Sequence, residues 1–345
     1  MTLRHAVAAA LGAAALAVVA GPAAGASRTV TVDGWWPRAM AFSDRALVWT
    51  EAASVRVDPR RIPGSPPGAT AFTYYRAEAF RAALDRTGRR FTGLPETVIS
   101  IRTSIAAMTP GALAPMPGGL VMAPSARAFA APVVACCSPD GEEIDVDAAG
   151  DPGSLPTVAV EGGPPEIRWV QLRPDGTQVL RGQTTPGGIA PGERSAPGLV
   201  ALAQGLRAWV DPAAPRVLVL GSDAGAGPQR TVALPGDARG VWAAPGVVVV
   251  AVRSGSGVAL LRLRGGAPVR IWSGARLPRV AVGRGAVAIA DGRRVLAARR
   301  GALRLVRTAS RPVDGIGVDA TRLAWVERGL RRGARVGVVR LAGTP

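Results

Sequence analysis

Cys136 and Cys137, the chain's two cysteines, stand side by side and are followed at once by the segment SPDGEEIDVDAAGD, residues 138–151. In type and spacing, these residues offer the most chemistry. Two thiols in an oxidising compartment can join as a disulfide. Neighbouring Cα atoms are only about 3.8 Å apart, below the usual disulfide span, so a vicinal bridge needs special geometry. Two buried free thiols are the competing state. Asp140, Glu142, Glu143, Asp145, Asp147 and Asp151 gather a quarter of the 24 acids into this one stretch. A hard cation such as Ca²⁺ takes about six to eight oxygens, and Asp140, Asp145 and Asp147 are the candidate ligands. Their order does not follow the EF-hand loop, and a solvated acidic loop accounts for the same residues. No other cofactor is implied.

Most other chemistries are excluded by missing residue types. His5 is the single histidine, and there is no lysine. His5 falls in a segment that reads as a leader, so the mature chain is expected to lack imidazole. Ser-His-Asp and Cys-His nucleophiles and imidazole zinc sites go with it. A Walker A loop, a lysine Schiff base and Ser-Lys hydrolysis need the absent lysine. What survives is carboxylate chemistry: two Asp or Glu residues about 5–10 Å apart could act as acid and nucleophile or base on a glycoside, in a hydrolase or a lyase.

The leader is read from Arg4 and His5, the small apolar run 6–20, and Ala24-Gly25-Ala26, an A-x-A cleavage pattern. The run is 15 residues long, short of the roughly 20 that span a bilayer. The expected division is therefore a signal peptide over 1–26 and one domain over 27–345, exported to the cell envelope or beyond, with no membrane span in the mature chain. The formal charge is +18, which favours anionic partners. The absence of both Lys and Asn marks a genomic composition bias that inflates Arg. The arginines are scattered rather than striped with aromatics, which argues against nucleic acid. An anionic polymer remains a partner class beside an envelope or extracellular protein.

The elements that would position a site come from a repeat. RALVWTE (45–51), GLRAWVD (205–211) and TRLAWVE (321–327) repeat one phrase, and RVAVGRGAVAIADG (279–292), VWAAPGVVVVAVRSG (241–255) and LVMAPSARAFAAP (120–132) keep its grammar. The position of Trp49 is thereby assigned to Phe129, Trp209, Val250, Ile289 and Trp325, in steps of 80, 80, 41, 39 and 36 residues. Steps near 40 match four-stranded propeller blades. Alternating side chains give each strand two faces, so each sheet must stack on neighbours to bury both, and the recurring Trp is expected to fill the gap between them. The fold class is therefore all-β: a β-propeller of four-stranded antiparallel blades. Six copies can be counted. A seventh could hide in the two long steps, around RFTGLPETVISIRTS (90–104), and insertions are expected around 58–117 and 136–165. The stretch 73–88 carries Tyr75, Phe80, Ala83 and Leu84 at helical spacing and could be a short helix, with a pair of drifted strands as the alternative. RTVTVDG (28–34) is expected to supply the outer strand missing from the last copy, closing the ring and removing an open edge.

An alternating strand, a Gly or Asp turn, a strand like LAWVE and then VGVVRL together resemble the TolB-like or WD40-like propeller repeats of bacterial envelope proteins. The resemblance covers the chain from about residue 37 and implies a propeller with binding surfaces at the ends of its central channel, often for proteins. It carries no catalytic residue. The expected function is a secreted, non-catalytic binding or scaffold module at the cell envelope; the alternative is the carboxylate-dependent glycoside hydrolase or lyase.

Overall fold

Each sheet grows from a hairpin. Short apolar strands are joined by turns whose glycines accept a left-handed backbone, as at Gly205 and Gly246, both at φ 76°. In this computed structural model the described residues are 29–32, 39–43, 45–58, 68, 70–86, 91–93, 96–103, 109–116, 119–125, 133–135, 143–145, 157–163, 166–172, 178–184, 194–195, 199–203, 205–222, 228–299, 301–327 and 334–340.

The first hairpin stack is β2 (Ala39–Ser43), β3 (Ala46–Val57), β4 (Phe72–Ala83) and β5 (Glu96–Thr103), preceded by β1 (Thr29–Val32). Next come β6 (Thr109–Met116), β7 (Gly119–Ser125), β8 (Val133–Ala135) and β9 (Glu143–Asp145), then β10 (Thr157–Gly163), β11 (Glu166–Leu172), β12 (Gln178–Thr184) and β13 (Arg194–Ser195). The pattern continues with β14 (Leu199–Ala203), β15 (Leu206–Val210), β16 (Val217–Gly221) and β17 (Arg230–Ala233). It goes on through β18 (Ala238–Ala244), β19 (Val247–Ser254), β20 (Gly257–Arg264) and β21 (Ala267–Gly274). The last strands are β22 (Arg279–Gly283), β23 (Ala286–Asp291), β24 (Arg294–Ala298), β25 (Arg304–Thr308), β26 (Val313–Val318), β27 (Arg322–Glu327) and β28 (Ala334–Arg340).

Among the described residues these strands make seven four-stranded sheets, six in simple chain order and one ordered β1-β28-β27-β26. All pairings are antiparallel, and β1 lies along β28 with Thr31 opposite Arg335. The first strand of each sheet touches the first strand of the next from β2 round to β26, and β26 touches β2. These seven inner strands approach closely. A Cβ on Gly317 of β26 would lie 2.8 Å from the Met40 carbonyl oxygen of β2, so only glycine fits there.

The core lies between sheets, as the alternation requires. In β27, Leu323 and Trp325 pack with Ala286, Ala288 and Ala290 of the preceding sheet. The opposite parity, Ala324 and Val326, packs with Leu47 and Trp49 of β3. Ile289 likewise meets Val247, Val249 and Ala251, and Val250 meets Ala208 and Val210. The repeated aromatic or branched residue therefore fills the gap toward the preceding sheet, and Trp49 also stacks on Phe80 at 5.8 Å.

Three sequence expectations change. The described part of 73–88 forms no helix: Phe72–Ala83 is strand β4, paired with β3 along its whole length. Phe80, Ala82 and Leu84 are buried while Arg81 and Ala83 are exposed, so the period is two, and cross-strand packing overrides helical spacing. The described part of 90–104 does not start an extra sheet, because Glu96–Thr103 is β5, the outer strand of the first. The sheet beyond the six counted copies is β10 to β13. Its second strand, EIRWVQL, places Trp169 opposite Val160, as Trp209 stands opposite Val200. In the preceding sheet the equivalent register position is Met122, opposite Leu113, and not Phe129, which lies outside the described residues. The steps become 73, 47, 40, 41, 39 and 36 residues. The leader 1–26 also lies outside the described residues. Among those described, no helix is long and apolar enough to cross a membrane.

Candidate binding face

Each inner strand starts at the same end of the stack, beside the end of its sheet's second strand. That end is the front face; the turns joining inner to second strands lie on the back. On the front face four inner strands carry one extra residue at their start: β6 between Thr109 and Ala112, β10 between Thr157 and Ala159, β18 between Ala238 and Gly240, and β26 between Val313 and Gly315. A bulge turns its extra side chain out of the regular alternation and is common beside functional sites. In β18 that residue is Arg239, exposed, and in β26 it is Asp314, half-buried. Arg279, exposed, begins β22.

Around these bulges the front face is polar and fixed. Arg216 Nε donates to Asp237 Oδ1 at 2.9 Å. That hydrogen bond is the main reason the Asp237 carboxyl titrates below the usual range; slight burial opposes it, and the charges of Arg216, Arg239 and Arg253 reinforce it. Glu327, 4% exposed, accepts a hydrogen bond from Trp325 Nε1 at 3.2 Å and one from the Ser310 backbone N–H at 3.1 Å. The Ser310 hydroxyl also donates to it. Burial pushes the Glu327 pKa up, but these hydrogen bonds and one from the Arg311 backbone outweigh it, so the net shift is downward. The acid after W-V in TRLAWVE thus anchors the indole to the connection between β25 and β26. Its counterpart Asp211 accepts from Ala213 N at 2.8 Å, closing a turn.

The back face uses its arginines as struts. Arg262, 7% exposed, reaches from β20 to the next sheet and donates to the carbonyls of Arg299 at 3.1 Å and Gly285 at 3.2 Å. Burial lowers its pKa, with the neighbouring Arg264 adding to the effect, though guanidinium stays charged at any ordinary pH. Arg322 is bound by Asp319 and lies 4.5 Å above the Phe42 ring. Arg207 lies over the Trp209 ring at 4.1 Å. Part of the basic composition is therefore internal scaffolding.

One element of the front face stands out from the repeat. β3 and β4 are each 12 residues long, whereas the other second strands have five to eight. Thr50 of β3 pairs with Ala39, the first residue of β2. Beyond it the β3–β4 ladder continues as an arm to Val57 and Phe72, with β5 flanking β4 as far as Tyr75.

Of the residues singled out in the sequence, Cys136, Cys137, Asp140 and Asp147 lie outside the described residues. Asp145 ends β9, opposite Val133, on the outermost strand of its sheet. At about 4.8 Å per strand it stands roughly 14 Å from the inner strand. Among the described residues no group of three or more His, Cys, Asp or Glu could hold a metal ion. The bulged Arg239 and Asp314 and the long arm were not foreseen. The sequence signal for the arm was its alternation, SVRV facing FTYY, which the helical spacing of the same stretch masked.

No protein-family model matches the chain, and no curated protein matches it either. Solved structures do. A chain of the mitotic checkpoint complex aligns with a TM-score of 0.55 at 7% identity, covering 99% of this chain and 100% of that one. The Cps50 (Swd1) β-propeller domain of Myceliophteria thermophila aligns with a TM-score of 0.54 at 10% identity over 91% and 98%. An acylaminoacyl peptidase from Pyrococcus horikoshii aligns with a TM-score of 0.55 at 10% identity over 88% of this chain, which spans 50% of that protein. At such identities the likeness concerns the fold, and the fold is a β-propeller.

Proposed function

We propose that this chain is a secreted, non-catalytic propeller of seven blades, closed by its N-terminal strand, that binds a protein partner through its front face at the cell envelope. The observation that carries the reading is the recurrence of a one-residue bulge at the front end of four inner strands. A ring needs no such bulges for packing, and in each case the extra residue leaves the regular alternation where the inner strand meets the face. The leader-like 1–26 supports export, and the repeat supports kinship with TolB-like envelope propellers. Ca²⁺ at Asp140, Asp145 and Asp147 and a Cys136–Cys137 bridge are part of this proposal, with no catalytic role. Nucleic acid is not part of it.

The carboxylate-enzyme reading gains little support on the front face. A general acid needs a raised pKa, whereas Asp237 and Glu327 are both shifted down. The test is a pull-down with the mature protein from envelope extract over a salt series. A discrete protein retained at high salt supports the scaffold. Release of everything at moderate salt would mark the basic surface as a nonspecific ion exchanger and overturn the reading.

A further inference from the structure

We propose that the outer rim where the sheet β18–β21 meets the sheet β22–β25 is a membrane-docking edge: its arginines bind the headgroup phosphates of anionic phospholipids while Val269, Leu277 and Leu305 enter the acyl boundary. This surface is separate from the front face and does not depend on what the front face binds.

Register places the apolar part. Residues directly opposite one another in an antiparallel sheet point to the same side. Val249, Arg262 and Val269 stand opposite in turn across β19, β20 and β21, as Ile289, Leu296 and Leu305 do across β23, β24 and β25. Val249 and Ile289 share one core cluster between the two sheets, so Val269 and Leu305 face the outer end of the same gap. Ile271, Trp272, Leu296 and Leu303 are half-buried against that cluster. Beyond them Val269 is 40% and Leu305 53% exposed, and Leu277, in the connection between β21 and β22, is 43% exposed. Three of the four exposed large hydrophobics among the described residues therefore lie at one junction. An apolar patch of this kind, rimmed by polar residues, marks an interaction surface.

Charge selects the occupant. Residues 238–313 hold 15 arginines and one acid, Asp291, a net +14 out of the chain's +18. Arg270 of β21, Arg304 and Arg307 of β25, and Arg276 next to Leu277 are all exposed. Asp291 ends β23, an inner-lying second strand, at the front face. A second copy would bring the same positive rim and is repelled. An added peptide strand meets bulged edges: β21 carries an extra residue between the partners of Leu260 and Leu261, and β25 one between those of Val295 and Leu296. Such bulges interrupt the ladder a new strand would need. A soluble polyanion answers the arginines and leaves Leu305 in water. An anionic bilayer answers both, since guanidinium binds phosphate bidentately and aliphatic tips gain by entering the acyl boundary.

The test is flotation of the full mature chain with vesicles of phosphatidylcholine, alone or mixed with phosphatidylglycerol. Hydrogen exchange is followed across the chain, and tryptophan quenching is read with lipids brominated in the acyl chain. The expected results are saturable binding to the mixed vesicles only, slowed exchange within 267–274 and 304–308, and quenching that Trp272→Phe diminishes. Affinity should fall about thirtyfold in the Arg270→Gln, Arg307→Gln double variant and about tenfold in Leu305→Ser. The inference is overturned if the mixed vesicles fail to bind, if phosphatidylcholine alone binds equally, or if protection appears elsewhere. It is also overturned if Leu305→Ser binds the mixed vesicles as tightly as its parent; together with polyglutamate slowing exchange in the same two segments, that result would assign the rim to an acidic polymer or protein. All three substituted rim positions are exposed, and exchange on the unaltered chain decides the matter even if a variant misfolds. A chain that floats with the mixed vesicles but captures no protein from envelope extract keeps this inference and loses the protein-binding reading; capture without flotation does the reverse.

Discussion

Replacing Glu327 should destabilise the protein through one orphaned indole. The carboxylate accepts from Trp325 Nε1, the Ser310 N–H and the Ser310 hydroxyl. Ser310 is exposed, so in Glu327→Ala its donors turn to water at little cost. Trp325 is 1% exposed and cannot. An unsatisfied buried donor costs about 1–3 kcal/mol, and losing the charge-assisted tie to Ser310 adds about 1 kcal/mol, for roughly 2–4 kcal/mol in all. Glu327→Gln keeps an acceptor for the indole and should cost only about 1 kcal/mol. The sign of the pH effect follows from the lowered pKa of the folded state. Between the folded and unfolded values the unfolded chain binds more protons, so stability rises with pH. The contribution is complete above the ordinary carboxyl value of about 4.3 and is lost as pH falls through the folded value. Urea unfolding at pH 7 and in acid measures both effects. An Ala variant within about 0.5 kcal/mol of the parent at pH 7, or a Gln variant whose deficit grows in acid, would refute the reasoning.

Other expectations test the packing and the struts. Trp325→Ala empties the gap between β27 and β23 and should cost about 3–5 kcal/mol in urea unfolding, with Trp49→Ala in the same range. Arg262→Met keeps the apolar stem but strips donors from the carbonyls of Gly285 and Arg299; a loss of about 1–3 kcal/mol is expected. The exposed Arg270 of β21 serves as the control, and Arg270→Met should stay within about 0.5 kcal/mol.

The later sheets were legible because their demands are local. Trp209, Val250, Ile289 and Trp325 each hold the fourth place of a second strand, in steps that four strands and their turns dictate. The earlier part was misread for two physical reasons. The arm lengthens β3 and β4, which stretches the first step and lets a strand of period two pass for a helix. Met122 stands where Trp stands elsewhere, so the nearby Phe129 imitates the repeat better and Trp169 falls out of step with it. The bulges left no trace, because one extra residue at a strand start obeys no composition rule. The tie between Glu327 and Ser310 spans 17 residues and exists only once β25, β26 and β27 have assembled.

The central claim is that the front face binds and the back face braces. Hydrogen exchange of the mature protein, alone and with the partner recovered from envelope extract, tests it most directly. The account predicts slowed exchange at 238–240 and 313–315, where the bulges lie. Protection confined to the back-face turns at Gly205, Gly246 and Gly285 would contradict it.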